Sequence, residues 1–321
     1  MILFITNKED ITTDFIINRL NKLKLPYYRL NTEDILTKVG INFDFTNDIY
    51  EIIDYRKNQK FNLANIKSVY YRRPELPKIA YSELSQGENY FVINELNYLL
   101  EGLYKLLQYK IWISSVYAIR EAENKIYQLI VARKLGFTIP LSLITTIEES
   151  AKDFVERRNE NCVIKAIKTG FVNDEVEPKI IFTSLLKKEH LDSLSTVRYC
   201  PMYFQSKIDK IVDIRITVVG NKVFPAKIKS QEFDETKIDW RKGSNPMVEF
   251  ERIDIPEDLK LKCLNLTKYL HLNFGAIDLI LDTNNSYTFL EINPNGQWAW
   301  IEKRLGYDIS GEIINILLGK N

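Results

Sequence analysis

The chain opens with a short apolar run followed by an amphipathic stretch. ILFIT at residues 2–6 predicts a buried strand, and Phe15, Ile16, Leu20 and Leu23 fall towards one side of a helix that Pro26 stops. YYRL predicts the next strand, so residues 1–80 read as a small α/β unit that opens like a doubly wound sheet. Residues 41–67 alternate weakly, as in FDFTN and YEIIDY, which predicts a hairpin or meander. Leu96, Leu99, Leu100, Leu103 and Leu107 line one face of a long packing helix over residues 89–110. Residues 111–120 cross into the next unit. A helix over 122–135 ends at Gly136, and strand-like FTIPLSLIT follows. Thr146 is placed to cap the next helix, whose first turn carries Glu148 and Glu149.

The second half carries strands with polar faces. NCVIKAIKT (161–169) sets Lys165 among apolar neighbours. Such a lysine either meets an anion, as beside a nucleotide's phosphates, or guards an edge strand against aggregation. In YCPMYFQSKIDKIVDIRITVVG (199–220) a polar connector leads into a strand. Its alternation puts Asp213, Arg215 and Thr217 on one face and Ile214, Ile216 and Val218 on the other. The connector just before Lys207 offers backbone groups to an adenine edge, and the polar strand face suggests a cleft holding negative charge. KVFPAKIKSQ returns by a tight turn with Lys227 and Lys229 on one face. IDWRKGSNP reads as a Gly- and Pro-punctuated loop carrying Arg241 and Lys242. A helix follows from Pro256, with Leu259, Cys263, Leu266 and Leu270 on its apolar face. Near the other end of the first unit, SVYYRRPELP is a strand whose exit carries Arg72 and Arg73. Arginines at a strand end suit phosphates or peptide carboxylates, and a structural ion pair accounts for them equally well.

The most informative stretch is FGAIDLILDTNNSYTFLEINPN (274–295), two apolar strands flanking a DTNNS turn. Glu291 and Asn293 are two residues apart on the second strand and share a face; Asp278 lies inside the first. Buried carboxylates this close need a cation, and a hard divalent ion held by carboxylate and amide oxygens would neutralise them. The plainer reading is an edge hairpin with solvated acids. The exit GQWAWIEKRLG is expected to expose two large aromatics near these acids, and a helix over 309–318 closes the pattern.

Composition narrows the function classes. With 44 basic and 43 acidic residues among 321, the formal net charge is +1, so no nucleic-acid or membrane partner is indicated. The 45% hydrophobic and 27% charged content suits a globular protein with a sizeable core. Cys162, Cys200 and Cys263 lack metal-site spacing, and His190 and His271 form no metal or catalytic motif. There is no GxGxxG, no GxxxxGK[ST] and no kinase signature. No signal peptide or transmembrane-length segment is apparent, so a cytoplasmic location is expected. What remains is a set of cations, Lys165, Arg215 and Arg241, together with the oxygens of Asp278, Glu291 and Asn293. That set suits a nucleotide triphosphate with Mg²⁺ outside the Walker and kinase folds.

Taken in order, VYYRRPELP, AENKIYQLIVARKLGFTIP, VIKAIKTG, FQSKIDKIVDIRITVVG, FPAKIKSQ, the IDWR loop and the 274–300 hairpin with its exit resemble the ATP-grasp superfamily. Within it they are most similar to the graspetide maturases, which make microviridin-like peptides. The resemblance spans almost the whole chain. It implies an α/β ATP-grasp fold with α+β lobes: an N-terminal pre-ATP-grasp α/β domain over 1–112, a central small lobe over 113–198, and a C-terminal large lobe with the metal site over 199–321. It implies Lys125, Lys165, Gln205, Ser206, Lys207 and Arg215 around ATP, and Asp278, Glu291 and Asn293 on Mg²⁺. Lys165, Arg215 and Arg241 then serve the chemistry, with Arg72, Arg73, Asp213 and Lys227 on the substrate side. The implied reaction phosphorylates a Glu or Asp side chain of a ribosomal precursor peptide, and a Thr or Ser hydroxyl or a Lys amine attacks the acyl phosphate. A leader segment of the precursor docks on the enzyme, with residues 179–194 as the expected contact, and a homodimer is common in the family. Two alternatives stand beside it: an ATP-grasp carboxylate–amine ligase acting on a small amino acid or a protein C-terminus, and a non-catalytic ATP-binding regulatory module.

Overall fold

A computed structural model describes residues 1–77, 84–158, 161–168, 170–172, 179–242 and 248–320. Thr169 of the expected strand and residues 243–247 of the loop after Arg241 lie outside the described residues. The first unit runs β1 (Ile2–Thr6), α1 (Ile11–Lys22) and β2 (Tyr27–Asn31), then a meander of β3 (Val39–Asp44), β4 (Ile49–Asp54) and β5 (Gln59–Asn62). It continues through β6 (Ser68–Tyr71), α2 (Gln86–Leu106) and β7 (Ile111–Ile113). The parallel sheet has the order β2-β1-β6-β7. Ile2 and Phe4 pack on α1, while Leu3 and Ile5 pack towards Leu96, Leu100 and Leu103 of α2. This is the two-faced burial that a parallel sheet requires. α2 begins earlier than its leucines suggest, because Ser85 and Glu88 form a capping box. Leu23 caps α1 and is exposed, so only Ile16 and Leu20 of its apolar set are fully buried.

The middle of the chain forms α3 (Val116–Ala122), α4 (Lys125–Lys134), β8 (Ser142–Thr145), α5 (Glu148–Glu156), β9 (Cys162–Lys165), β10 (Phe171–Val172), β11 (Lys179–Ile180) and β12 (Ser184–Leu185). The helix expected over 122–135 is α4 and starts at Lys125, because the Asn124 side chain accepts from Tyr127 N and caps it, while Ala122 closes the preceding α3. Thr146 does not cap α5: Ile147 holds that position without a side-chain bond, and it is Thr145 Oγ1 that accepts from Ile147 N. After a 3₁₀ segment, Lys188–Arg198, comes β13 (Met202–Ser206). The antiparallel order β12-β9-β13-β8 makes β9 an interior strand, which removes the edge-strand reading of Lys165. Gln205 and Ser206 likewise lie in β13 and not in a connector.

The last sheet is built from β14 (Lys210–Val219), β15 (Lys222–Ile228), β16 (Phe250–Arg252), β17 (Phe274–Asp282) and β18 (Tyr287–Asn293), in the order β16-β15-β14-β17-β18; α6 (Glu257–Tyr269) precedes β17. Ile214, Ile216, Ile277 and Leu279 pack with Leu259, Cys263 and Leu266 of α6. The opposite face is apolar at one end and polar at the other. Finally α7 (Ala299–Leu305) and α8 (Ile309–Leu317) follow, and α8 packs Ile309, Ile313 and Leu317 against Phe4, Ile16 and Leu20 of the first unit. The two ends of the chain therefore share one core. Trp298 belongs to it: fully buried, edge-on to Phe15 and donating to Tyr70 Oη, it is not the exposed aromatic expected. Trp300 is half-buried against Phe250 and Trp240. No helix among the described residues is long and apolar enough to cross a membrane.

Candidate active site

Strand register puts three charged residues in a row. Arg215 of β14 lies opposite Asp278 of β17, and Asp278 lies opposite Glu291 of β18. Opposed residues share a face, so all three side chains leave the sheet together at its polar end. A bulge follows Asp278, so Leu279 pairs with Phe289 and Leu290 is left out of the ladder to line the cleft. Arg215 grips Asp278 with two bonds, Nε to Oδ1 at 2.7 Å and Nη2 to Oδ2 at 3.1 Å. Glu291 meets Lys125 Nζ at 3.2 Å and Arg241 Nη1 at 3.4 Å. Arg241 is held by a bidentate pair with Asp239. Lys125 reaches the row because Asn124 opens α4 directly before it, and its ammonium also donates to Ala166 O.

Burial and charge act in opposite directions on these groups. Burial pushes the Asp278 carboxyl up to about 6 against the pull of Arg215. Burial also works to raise Glu291, but Lys125, Arg241 and Lys165 together hold it below its ordinary value. The Asp239 contact raises Arg241. Lys165 is the exception among the cations. Its ammonium has no hydrogen-bond or ion-pair partner among the described residues, and burial brings it down to about 8. A half-buried cation without a counter-ion, beside acids already matched with cations, is a place prepared for an incoming anion.

Glu291, at one end of the row, lines two adjoining chambers of about 400 and 460 Å³, and Asp278 lines the first. Both chambers touch Lys125, Lys165, Thr183, Arg241 and Glu291. The first is apolar on several sides, with Val163, Leu185, Ile208, Ile280 and Leu290, and runs past Gln205, Ser206 and Lys207 to Asp213. The second is lined by Glu123, Lys168, Asn293 and Pro294, together with Gly170, Phe171 and Ile180 of the β10–β11 hairpin. A Cβ on Gly170 would stand 1.9 Å from Ile181 O, so glycine is what lets this hairpin close. Residues 180–183 and Leu185 line the cleft, so the first part of the expected leader contact is not separate from the nucleotide site.

The remaining expected residues divide clearly. The N–H groups of Ser206 and Lys207 are already paired with Leu141 O and Asn161 O, which leaves the chain after Lys207 to face the first chamber. Gln205 is buried, and its amide donates to Ser142 Oγ and Tyr203 Oη. Asp213 is buried against Lys210 Nζ at 2.7 Å, and burial raises its carboxyl. Lys227 does not reach the cleft: it lies opposite Ile214, on the other sheet face from Arg215, and pairs with Glu251 at 3.1 Å. Arg72 is not free for an anion either. At 2% exposure it binds Asp10 and donates to the carbonyls of Asn295 and Gly296. Arg73 stays exposed.

Several residues at the site carry no sequence signal that finds them. Gln128 pins Ile292 from α4 with bonds of 2.8 and 3.0 Å. Trp240 lies beneath the Arg215 guanidinium, 5.5 Å from ring centre to carbon. Asp239, the acid of the IDWR segment, holds Arg241 in place over the row.

Among the described residues no group of three or more His, Cys, Asp or Glu converges on one point. The metal-type donors are two carboxylates, Asp278 and Glu291, with the Asn293 amide on the same strand face. An all-oxygen set of this kind fits a hard divalent ion. The cations now matched to these acids are the groups a triphosphate would draw away from them.

The chain matches the model of the RimK-like ATP-grasp domain over residues 122–317 and that of the MvdD pre-ATP-grasp domain over residues 1–120. Among solved structures it resembles the macrocyclase MdnC bound with precursor peptide MdnA from Microcystis aeruginosa MRC, with 28% identity and a TM-score of 0.87 over 99% of each chain. It also resembles a RiPP-associated ATP-grasp ligase of Chryseobacterium gregarium in complex with ADP and a leader and core peptide. There the identity is 28% and the TM-score 0.89, over 100% of this chain and 97% of that one. A curated relative, the probable alpha-L-glutamate ligase of Histophilus somni (strain 2336), is 24% identical over 201 residues, 61% of this chain. The match spans 64% of that relative's length. ATP-grasp ligases use ATP with metal ions. The chain belongs to the RimK-like ATP-grasp family.

Proposed function

We propose that this chain is an ATP-dependent peptide macrocyclase. It converts Glu or Asp side chains of a ribosomal precursor peptide to acyl phosphates and joins them to Thr or Ser hydroxyls, or to Lys amines, releasing ADP and phosphate. The observation that carries this reading is the Arg215–Asp278–Glu291 row, whose Glu291 end is shared by the two chambers. It stands in a chain whose likeness to a precursor-bound macrocyclase and to a peptide-bound RiPP-associated ATP-grasp ligase runs from end to end.

The apolar first chamber suits the adenine, and the second, beneath the hairpin, suits the peptide's acidic side chain. Asp278, Glu291 and Asn293 would hold Mg²⁺, which when bound polarises the γ-phosphate. Lys165 supplies charge to phosphate without first breaking an ion pair. Arg215, Lys125 and Arg241 would turn from their carboxylate partners to phosphate oxygens. The β10–β11 hairpin keeps water from the acyl phosphate. The family resemblance carries with it the expectations of a homodimer and a cytoplasmic site of action. Leader docking is assigned to residues 187–194; a labelled leader whose titration ignored charge reversal at Lys187, Lys188 and Glu189 would remove that assignment.

The test is incubation with a precursor peptide, ATP and Mg²⁺. Each bond formed removes one water from the peptide mass, and alkaline hydrolysis separates esters from amides. Glu291→Gln is expected to abolish dehydration while leader affinity stays nearly unchanged; normal product from that variant refutes the role given to Glu291. The likeness to probable glutamate ligases favours a second reading, ligation to a small amino acid. ATP consumption driven by free glutamate and not by peptide would select it.

A further inference from the structure

One turn stands between the acids of the site and the first unit of the chain. Asn293, Pro294, Asn295 and Gly296 close a β-turn in which Gly296 N donates to Asn293 O at 3.2 Å, and proline suits its second position. Inside the turn, the Asn295 N–H donates to the side-chain oxygen of Asn293, Oδ1, at 2.9 Å. That bond decides which way the Asn293 amide faces, and the oxygen keeps a second lone pair. The turn also runs close to the row. A Cβ on Gly296 would stand 2.3 Å from Ala276 Cβ and 3.3 Å from Arg215 Nη1.

Arg72 grips this turn from the first unit. Its Nη1 donates to Asn295 O at 3.0 Å and to Gly296 O at 3.1 Å, and its Nε binds Asp10 Oδ1 at 3.1 Å. Asp10 is itself fixed at the start of α1, where it accepts from Thr13 Oγ1 at 2.6 Å, Thr6 Oγ1 at 3.0 Å and Thr12 N at 3.1 Å. Asp10, Arg72 and Asn295 are all buried. An apolar core already joins the two ends of the chain through Trp298 and α8, and a buried ion pair adds little stability to such a junction. What the arginine adds is direction. Its planar fork holds two neighbouring carbonyls at once, and with them the Asn295 N–H that orients Asn293.

We propose that Arg72 is a positioning residue for the metal site: through the 293–296 turn it holds the Asn293 oxygen ready for the divalent ion. The assignment rests on the metal role given to Asn293 above, and it is independent of whether the activated acid belongs to a peptide. Arg215 holds Asp278, and Lys125 and Arg241 hold Glu291, all from within the cleft. Arg72 gives the third donor the same support from outside it.

The test is calorimetry of AMPPNP binding, in Mg²⁺ and in EDTA, for wild type, Arg72→Lys, Arg72→Met and Leu103→Ala. Leu103, fully buried on the α2 face of the first sheet, controls for loss of stability alone. Wild type binds the nucleotide more tightly in Mg²⁺ than in EDTA. Arg72→Lys keeps a charge beside Asp10 but loses the fork, and it cuts that Mg²⁺ advantage about tenfold, the scale of a lost support behind a metal ligand. Its affinity in EDTA stays near wild type. Arg72→Met loses at least as much of the advantage. Circular dichroism sets a temperature at which the variants are folded, and Arg72→Lys carries the test where Arg72→Met does not fold. An unchanged Mg²⁺ advantage in Arg72→Lys, or an equal fall in Leu103→Ala, overturns the proposal and leaves the macrocyclase reading intact. A wild type whose nucleotide affinity ignores Mg²⁺ removes the metal role of Asn293 and the proposal together.

Discussion

Arg215 and Asp278 face each other across β14 and β17 through two hydrogen bonds, and each side chain is about nine-tenths buried. The pair keeps a metal-type carboxylate in place before any metal arrives. Removing the guanidinium alone strands a buried carboxylate. Arg215→Ala is therefore expected to lower the stability of the nucleotide-free protein by about 3–5 kcal/mol, measured by urea denaturation. Adding Asp278→Asn should recover part of the loss, because the charge that lacked a partner is gone. Equal stability of Arg215→Ala and wild type would show that the pair is solvated and that the cleft is more open than the row implies.

Lys165 gives the site a pH signature with a definite sign. Burial brings its folded pKa to about 8 from the ordinary lysine value of 10.5. Between those two values the unfolded chain holds a proton that the native chain has released, so the stability of the nucleotide-free protein rises with pH in that window. Bound phosphate favours the protonated lysine. Nucleotide binding above about pH 8 must therefore take up a proton. Calorimetric titrations in buffers of different protonation enthalpy should detect the uptake, and Lys165→Met should abolish it. Binding without proton uptake in wild type would place the triphosphate away from Lys165.

Arg72 and Arg73 are adjacent yet should respond oppositely to truncation. Arg72→Met removes a buried cation from Asp10 and leaves the carbonyls of Asn295 and Gly296 without their donor. The expected cost is about 3–5 kcal/mol. Arg73→Ala removes an exposed side chain without partners and should stay within about 0.5 kcal/mol of wild type. Denaturation midpoints of the two variants check this directly, and a stable Arg72→Met would mean the two ends of the chain hold together without that clasp.

Much of this site was legible because strand chemistry is local. Asp278, Glu291 and Asn293 sit two positions apart or directly opposed within one hairpin, so alternation alone brings them to one face. Asp213 and Arg215 followed from the same period. What could not be read was how distant segments meet. Lys227 was assigned by its neighbours in sequence, but register with β14 turns it to the opposite face. Arg72 looked like an anion site because an arginine at a strand end gives no sign of the carbonyls, more than two hundred residues away, that consume it. Trp298 looked exposed because its partners Phe15 and Tyr70 come from the first unit. The start of α4 at Lys125 is written locally, in the Asn124 cap, three residues after the start that the apolar pattern suggests.

Gln128 is the residue through which α4 aligns the site. β18 is an edge strand, and the Gln128 amide acts as its missing neighbour, donating to Ile292 O at 2.8 Å and accepting from Ile292 N at 3.0 Å. The same amide donates to Ala122 O at 2.6 Å, which ties the end of α3 to the strand. Ile292 stands between Glu291 and Asn293, and Lys125 lies one helical turn before Gln128, so one clasp sets the distance between Lys125 and Glu291. Gln128→Leu keeps the volume but leaves the Ile292 backbone unpaired, at a cost of about 1–3 kcal/mol for each stranded group. The loss should extend beyond stability. With α4 released from β18, Lys125 no longer tracks Glu291, so nucleotide affinity in the presence of Mg²⁺ should fall, and Gln128→Glu, whose carboxylate would face the Ala122 and Ile292 carbonyls without a proton to donate, should fall at least as far. Urea denaturation and nucleotide titration of the two variants separate these effects. Lower stability with unchanged nucleotide affinity would make Gln128 a packing residue and leave the position of Lys125 to the Asn124 cap alone.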